Sequence, residues 1–188
     1  MLYHKAYELL KNSDSPKLMP DLCANLGDAY VFDNDLPKAA LWYRKALFIA
    51  DSLQLPKVQN ASLYMGLGRI YLLLEDFEAS LNCYQQTEKS FSDLSLNLQA
   101  YFLNNYGNYY YYTKDYQTSL KKFLMLKKLL EKHDKRETFS MYLCKLNLAD
   151  VYLNLNQLDL SDKCLDEVED YMRKNGDETA IYYCNAIR

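Results

Sequence analysis

The chain has 188 residues, of which 49% are apolar, with 19 tyrosines but only five glycines and four prolines, and a formal charge of -3. So few breakers and so many aromatics favour long helices over a sandwich of short, turn-linked strands, and the weakly acidic balance argues against nucleic-acid binding by this segment. No apolar run reaches the roughly 20 residues of a membrane span, and the opening residues are not expected to act as a signal peptide. The cysteines (Cys23, Cys83, Cys144, Cys164 and Cys184) are odd in number, far apart and never in a CxxC pattern. That spacing argues against a disulfide framework and a zinc site, and reads instead as small buried hydrophobes in a reducing compartment.

In chain order, residues 1–17 (MLYHKAYELLKNSDSPK) repeat at a constant offset of 40 in residues 41–57 (LWYRKALFIADSLQLPK). Tyr3 falls on Tyr43, Ala6 on Ala46 and Pro16 on Pro56. The segment therefore reads as half a repeat whose first helix is missing. From Pro20 to Asp51 two amphipathic patterns meet at Asp33-Asn34-Asp35. Leu22, Leu26, Ala29 and Tyr30 share one helical face; Leu36, Ala39, Ala40, Tyr43, Ala46 and Leu47 share another. Small residues at Gly27, Ala39 and Ala46 mark close helix approach, and Leu26, Tyr30, Trp42 and Tyr43 fill the space between. Leucine at Ala39 or Ala46 should overpack the interface by roughly 1–3 kcal/mol. Asp35, in a polar break, is expected to be replaceable at almost no cost.

The pattern returns three times. Leu67-Gly68-Arg69-Ile70-Tyr71 precedes Phe77, Ser80, Tyr84 and Thr87; Tyr106-Gly107-Asn108-Tyr109-Tyr110 precedes Tyr116, Ser119, Phe123 and Leu126. Leu148-Ala149-Asp150-Val151-Tyr152 precedes Leu158, Ser161, Leu165 and Val168. The glycine-equivalent positions 27, 68, 107 and 149 step by 41, 39 and 42. This order of leucine, glycine and tyrosine, then small, aromatic and small, resembles the tetratricopeptide repeat. The common repeat of that family is about 34 residues, so the extra length is expected in the second helix or its exit loop. The longer form is similar to the sensory arrays of bacterial helix-turn-helix regulators and sensor kinases.

The resemblance implies an all-α, right-handed α-solenoid of antiparallel helix pairs. Half a repeat at 1–17 precedes repeats at about 20–53, 61–94, 100–133 and 142–175, and a second half repeat at 176–188 follows. Both ends then read as cut from a longer protein, helical but poorly covered, with self-association through those ends. First helices line a concave groove in this family. The implied groove positions are Ala24, Asp28, Val31 and Phe32, then Met65, Arg69, Leu72 and Leu73. The third repeat supplies Asn104, Asn108, Tyr111 and Tyr112, and the fourth Leu146, Asp150, Leu153 and Asn154. Ala24, Asp28, Met65 and Arg69 stand where chaperone-binding members carry a carboxylate clamp, so that clamp is absent.

No phosphate loop, nucleophile elbow or paired-histidine motif occurs, so neither catalysis, a metal nor a cofactor is expected. His4 and His133 stand in polar, solvated contexts, and Tyr106, Tyr110 and Tyr116 read as core. The expected function is protein or peptide binding in the groove, as the sensory or regulatory region of a larger bacterial signalling protein or transcriptional regulator. Asparagine amides would hold a peptide backbone, tyrosines would bury side chains, and Arg69 would favour an acidic residue. Asp28, Phe32, Asp150 and Asn154 complete the candidate set. The alternative is a structural scaffold or assembly factor. A parent gene running on into a transmembrane segment or helix-turn-helix would favour the sensor, one polar capping helix the scaffold. The basic run Lys121–Arg136 and the acidic run Asp159–Asp170 read as solvated faces, with docking of an acidic partner or nucleic acid as the sharper alternative. The compartment expected is the cytoplasm, or the periplasm if the parent carries a signal peptide or transmembrane segment.

Overall fold

The computed structural model describes Lys5, Tyr7, residues 16–133 and 138–175, Cys184 and Ile187. Among them lie eight α-helices and no strand: α1 Met19–Phe32, α2 Leu36–Ser52, α3 Lys57–Leu73, α4 Phe77–Glu88, α5 Leu96–Tyr112, α6 Tyr116–His133, α7 Phe139–Asn154 and α8 Leu158–Asn175. Short 3-10 turns stand at Pro16–Leu18 and Phe91–Asp93. No helix among the described residues is long and apolar enough to cross a membrane. Expected extra length in the second helix goes partly elsewhere: α3 opens at Lys57 rather than Ala61, and α5 at Leu96 rather than Ala100.

One device joins the helices of each pair. The break after α1 puts Asn34 at φ 59°, and Glu75, Lys114 and Asn156 repeat this left-handed residue at φ 60°, 63° and 58°. Behind it the amide of Asp35 reaches the Tyr30 carbonyl at 2.8 Å, as Asp76 reaches Tyr71 and Gln157 reaches Tyr152, each at 2.9 Å. These bonds satisfy carbonyls that a helix end leaves open. The next helix is then capped: carboxylates of Asp35, Asp76 and Asp115 accept from the amides of Lys38, Ala79 and Thr118 at 3.2, 3.1 and 3.0 Å. Asp35 also holds the Lys38 ammonium at 2.6 Å, which lowers its own pKa. The near-neutral expectation for Asp35 is therefore corrected, because an N-cap carboxylate satisfies a donor that alanine leaves bare.

The chain forms two compact units, Met1–Gln99 and Ala100–Arg188. In the first, Tyr43 of α2 is 6% exposed and wedged between α1 and α3. A Cβ added at Gly27 would stand 2.5 Å from its Cδ2, and one at Gly66 would stand 2.5 Å from its Cζ. Ala39, Ala46 and Ala50 are fully buried, letting the helices close. In the second unit Gly107 clears space for the buried Phe123 ring in the same way. Where Ala39 stands in the first pair, serine follows in the others. Ser80, Ser119 and Ser161 are buried, and their hydroxyls donate to the carbonyls of Gly68, Gly107 and Ala149 at 2.8, 2.9 and 2.9 Å.

Tyr106 is buried as expected, whereas Tyr110 and Tyr116 are half-buried. Phe77 and Leu158, aligned with apolar packing positions, are 38% and 53% exposed at the first residue of their helices. All five cysteines are buried, and burial pushes the thiols of Cys83 and Cys144 up to about 12. Most of the half repeats, with the expected self-association, lies outside the described residues. Tyr7 is described, and it is buried by the chain itself: Trp42 meets its ring edge-on at 5.1 Å, and the Lys45 ammonium sits 4.3 Å from its centroid.

Candidate functional site

Residues 104, 108, 111 and 112 of α5 are spaced i, i+4, i+7 and i+8, so helical geometry puts them on one stripe. Beside α5 runs α7, held there by side chains 43 residues apart: Asn147 Nδ2 donates to Asn104 Oδ1 at 2.9 Å, and Asn154 Nδ2 to Tyr111 Oη at 3.4 Å. Asn154 also donates to the Asp150 carbonyl at 2.8 Å. Between the two helices opens a pocket of about 90 Å³ lined by Asn108, Tyr111, Tyr112, Phe123, Asn147 and Asp150. A space of that size admits a side chain rather than a cofactor.

The walls differ in character. Tyr111 meets the edges of Tyr112 and Tyr116 at centroid distances of 5.8 and 5.7 Å, which fixes its ring. Tyr112 is 63% exposed at the rim, so the alternative of tyrosines covered by neighbouring helices does not hold for it. Phe123 is fully buried and forms the apolar floor. Burial raises the pKa of Asp150, and burial followed by the charge of Asp150 raises that of Tyr111. Asn104 and Asn108 are half-buried, Asn154 exposed.

The groove residues of the first unit make a different arrangement. Asp28 of α1 accepts from the Tyr43 hydroxyl at 2.8 Å, and the Arg69 guanidinium of α3 reaches the same oxygen at 3.5 Å. Arg69 is thus engaged by an acid of its own chain, while its Nε is buried with no hydrogen-bond partner among the described residues. Phe32, the last residue of α1, is 92% exposed. Met65 must be struck from the groove: it is fully buried in the middle of α3.

Two pocket residues were not among the sequence candidates. Asn147 stands three residues before Asp150, a helical spacing that could have found it; one position away, Leu146 took its place. Phe123 belongs to a second helix and reads as core, yet the missing side chain of Gly107 lets its ring reach the pocket floor. Among the described residues no group of His, Cys, Asp and Glu could hold a metal ion. Of the basic run, Lys127 pairs with Glu131 at 3.8 Å and Lys121 is exposed, while residues 134–136 lie outside the described residues. From the acidic run, Glu167 pairs with Lys145 at 3.1 Å and Glu169 with Arg173 at 3.6 Å.

The comparisons agree with this architecture. Residues 61–87 match the tetratricopeptide repeat family. No curated protein matches the sequence. Among solved structures, BtubC (BKLC) from P. vanneervenii is similar at 20% identity and a TM-score of 0.82, over 93% of this chain and 72% of that one. The nearly identical TPR-like repeats of a kinesin light chain-like protein from Podosopora anserina give 14% identity and 0.76, over 93% and 85%. Aspartyl phosphate phosphatase F from Bacillus subtilis gives 14% and 0.83, over 98% of this chain and 48% of that one. At such identities the likeness is one of fold, the tetratricopeptide-type α-solenoid.

Proposed function

We propose that this chain, a member of the tetratricopeptide-repeat family, is a protein- or peptide-binding module that takes an extended partner segment along α5 and α7. The observation that carries the reading is the pocket between those helices, where rigid aromatic rings and amide groups converge. Aromatic anchors with adjacent polar groups are the composition of recognition surfaces. Asn104, Asn108 and Asn154 supply backbone-pairing amides, and Tyr111 and Tyr112 supply apolar area. Asp28, Phe32 and Arg69 offer a second, more polar contact region on the first unit.

The wider role is that of a sensory or regulatory region within a larger bacterial signalling protein or transcriptional regulator. Support comes from the Bacillus subtilis aspartyl phosphate phosphatase, of which a segment like this one makes up about half. The test is site-specific photocrosslinking in cells. A photoreactive amino acid at Tyr112 should trap a discrete partner, while the same group at Lys121, on α6, should trap none. Crosslinks from Lys121 with none from Tyr112 would move the binding surface off these helices.

A further inference from the structure

We propose that the pocket between α5 and α7 receives a cationic side chain, a lysine or arginine, of the partner segment. This rests on the reading of α5 and α7 as the binding face and adds to it the chemistry of one position.

Asp150 lines the pocket with its side chain half-buried, and no ion pair or hydrogen bond to its carboxylate occurs among the described residues. Its counterpart on the first unit behaves otherwise: Asp28 is met by Tyr43 and Arg69. Burial raises the pKa of the Asp150 carboxyl, and no charge among the described residues offsets that rise. A desolvated, unpaired acid is costly in the free protein, and a bound cation would recover that cost. The remaining walls suit the same guest. Tyr111 and Tyr112 are locked edge to face at 5.8 Å, and a cation within about 6 Å of a ring centroid is attracted to its face. Asn147 gives its Nδ2 to Asn104, leaving Oδ1 of Asn147 as an acceptor, and the Asn108 amide has no bond among the described residues. Acceptors, aromatic rings and one carboxylate around about 90 Å³ match a side-chain cation and repel an acid.

The test is selection of a short-peptide display library on the full chain, then on its Asp150→Asn, Asn108→Ala and Tyr112→Ala variants. Peptides selected on the parent should carry lysine or arginine at one fixed position, and replacing that residue by alanine should weaken binding about tenfold or more. The preference should vanish on Asp150→Asn, a near-isosteric change, and fade with added salt. Selected peptides that lack a fixed cation, yet lose binding on Asn108→Ala, would overturn the cation pocket and leave the binding face standing. An unchanged preference on Asp150→Asn would overturn it too. If no peptide is selected, or binding ignores both Asn108→Ala and Tyr112→Ala, the binding face itself falls and the pocket with it.

Discussion

The wedge of Tyr43 between α1 and α3 can be measured by adding one methyl group. Gly66→Ala would place a Cβ 2.5 Å from Cζ and 2.7 Å from the hydroxyl oxygen of Tyr43, against the roughly 3.5–4.0 Å of an ordinary carbon contact. The ring has nowhere to go. Its other edge faces Gly27, and its hydroxyl is tied to Asp28 at 2.8 Å. About 1 Å of movement is needed, and overpacking of that kind costs about 1–3 kcal/mol. Alanine recovers about 1 kcal/mol of helix propensity over glycine, so the net loss should be up to about 2 kcal/mol. At 188 residues that is a fall in Tm of up to about 8 °C. Tyr43→Leu removes the ring atoms that the new methyl meets. In that background Gly66→Ala should be neutral or stabilising, while Gly27→Ala, facing Cδ2, keeps part of its cost. Urea and thermal melts of the four chains of the Gly66 cycle give the coupling energy. Equal destabilisation by Gly66→Ala in both backgrounds would refute the wedge.

Lys114→Gly and Glu75→Gly relieve side chains held at positive φ and should each raise stability by up to about 1 kcal/mol, with Asn34→Gly nearly silent, because asparagine tolerates that region; melting curves decide it. Asp115→Ala, one residue on, should lose about 1 kcal/mol as the cap to Thr118 goes. Because burial raises the Asp150 pKa above 3.8, its proton favours the folded state, and that stability is lost as pH rises through the raised value. Asp150→Asn should therefore melt higher than the parent at neutral pH, the gap closing in acid; a gap that persists in acid would point to another cause. Cys83 and Cys144, both pushed up to about 12, should resist a thiol reagent at pH 8 in the folded chain and react once it unfolds, as a stopped-flow absorbance assay would show.

The fold class was legible because its signals are local. The alternation of Gly27, Ala39 and Ala46 with Leu26 and Tyr43 encodes which helix faces are close, and the same spacing recurs at Gly68, Gly107 and Ala149. Turn chemistry was half legible. Asp33-Asn34-Asp35 announces a break, but that Asp35 caps α2 depends on where the Lys38 amide points. The candidate site was legible as a stripe on α5 and no further. Contacts such as Asn104 with Asn147, or Asp28 with Arg69, join residues more than 40 positions apart. Periodicity says which side of a helix a residue takes; it does not say what the neighbouring helix sets against it. Burial of Met65, the unpaired carboxylate of Asp150 and the Phe123 floor all depend on that second helix. Only the packing of one repeat on the next could decide them, because a charge or an amide acquires its energy from what surrounds it.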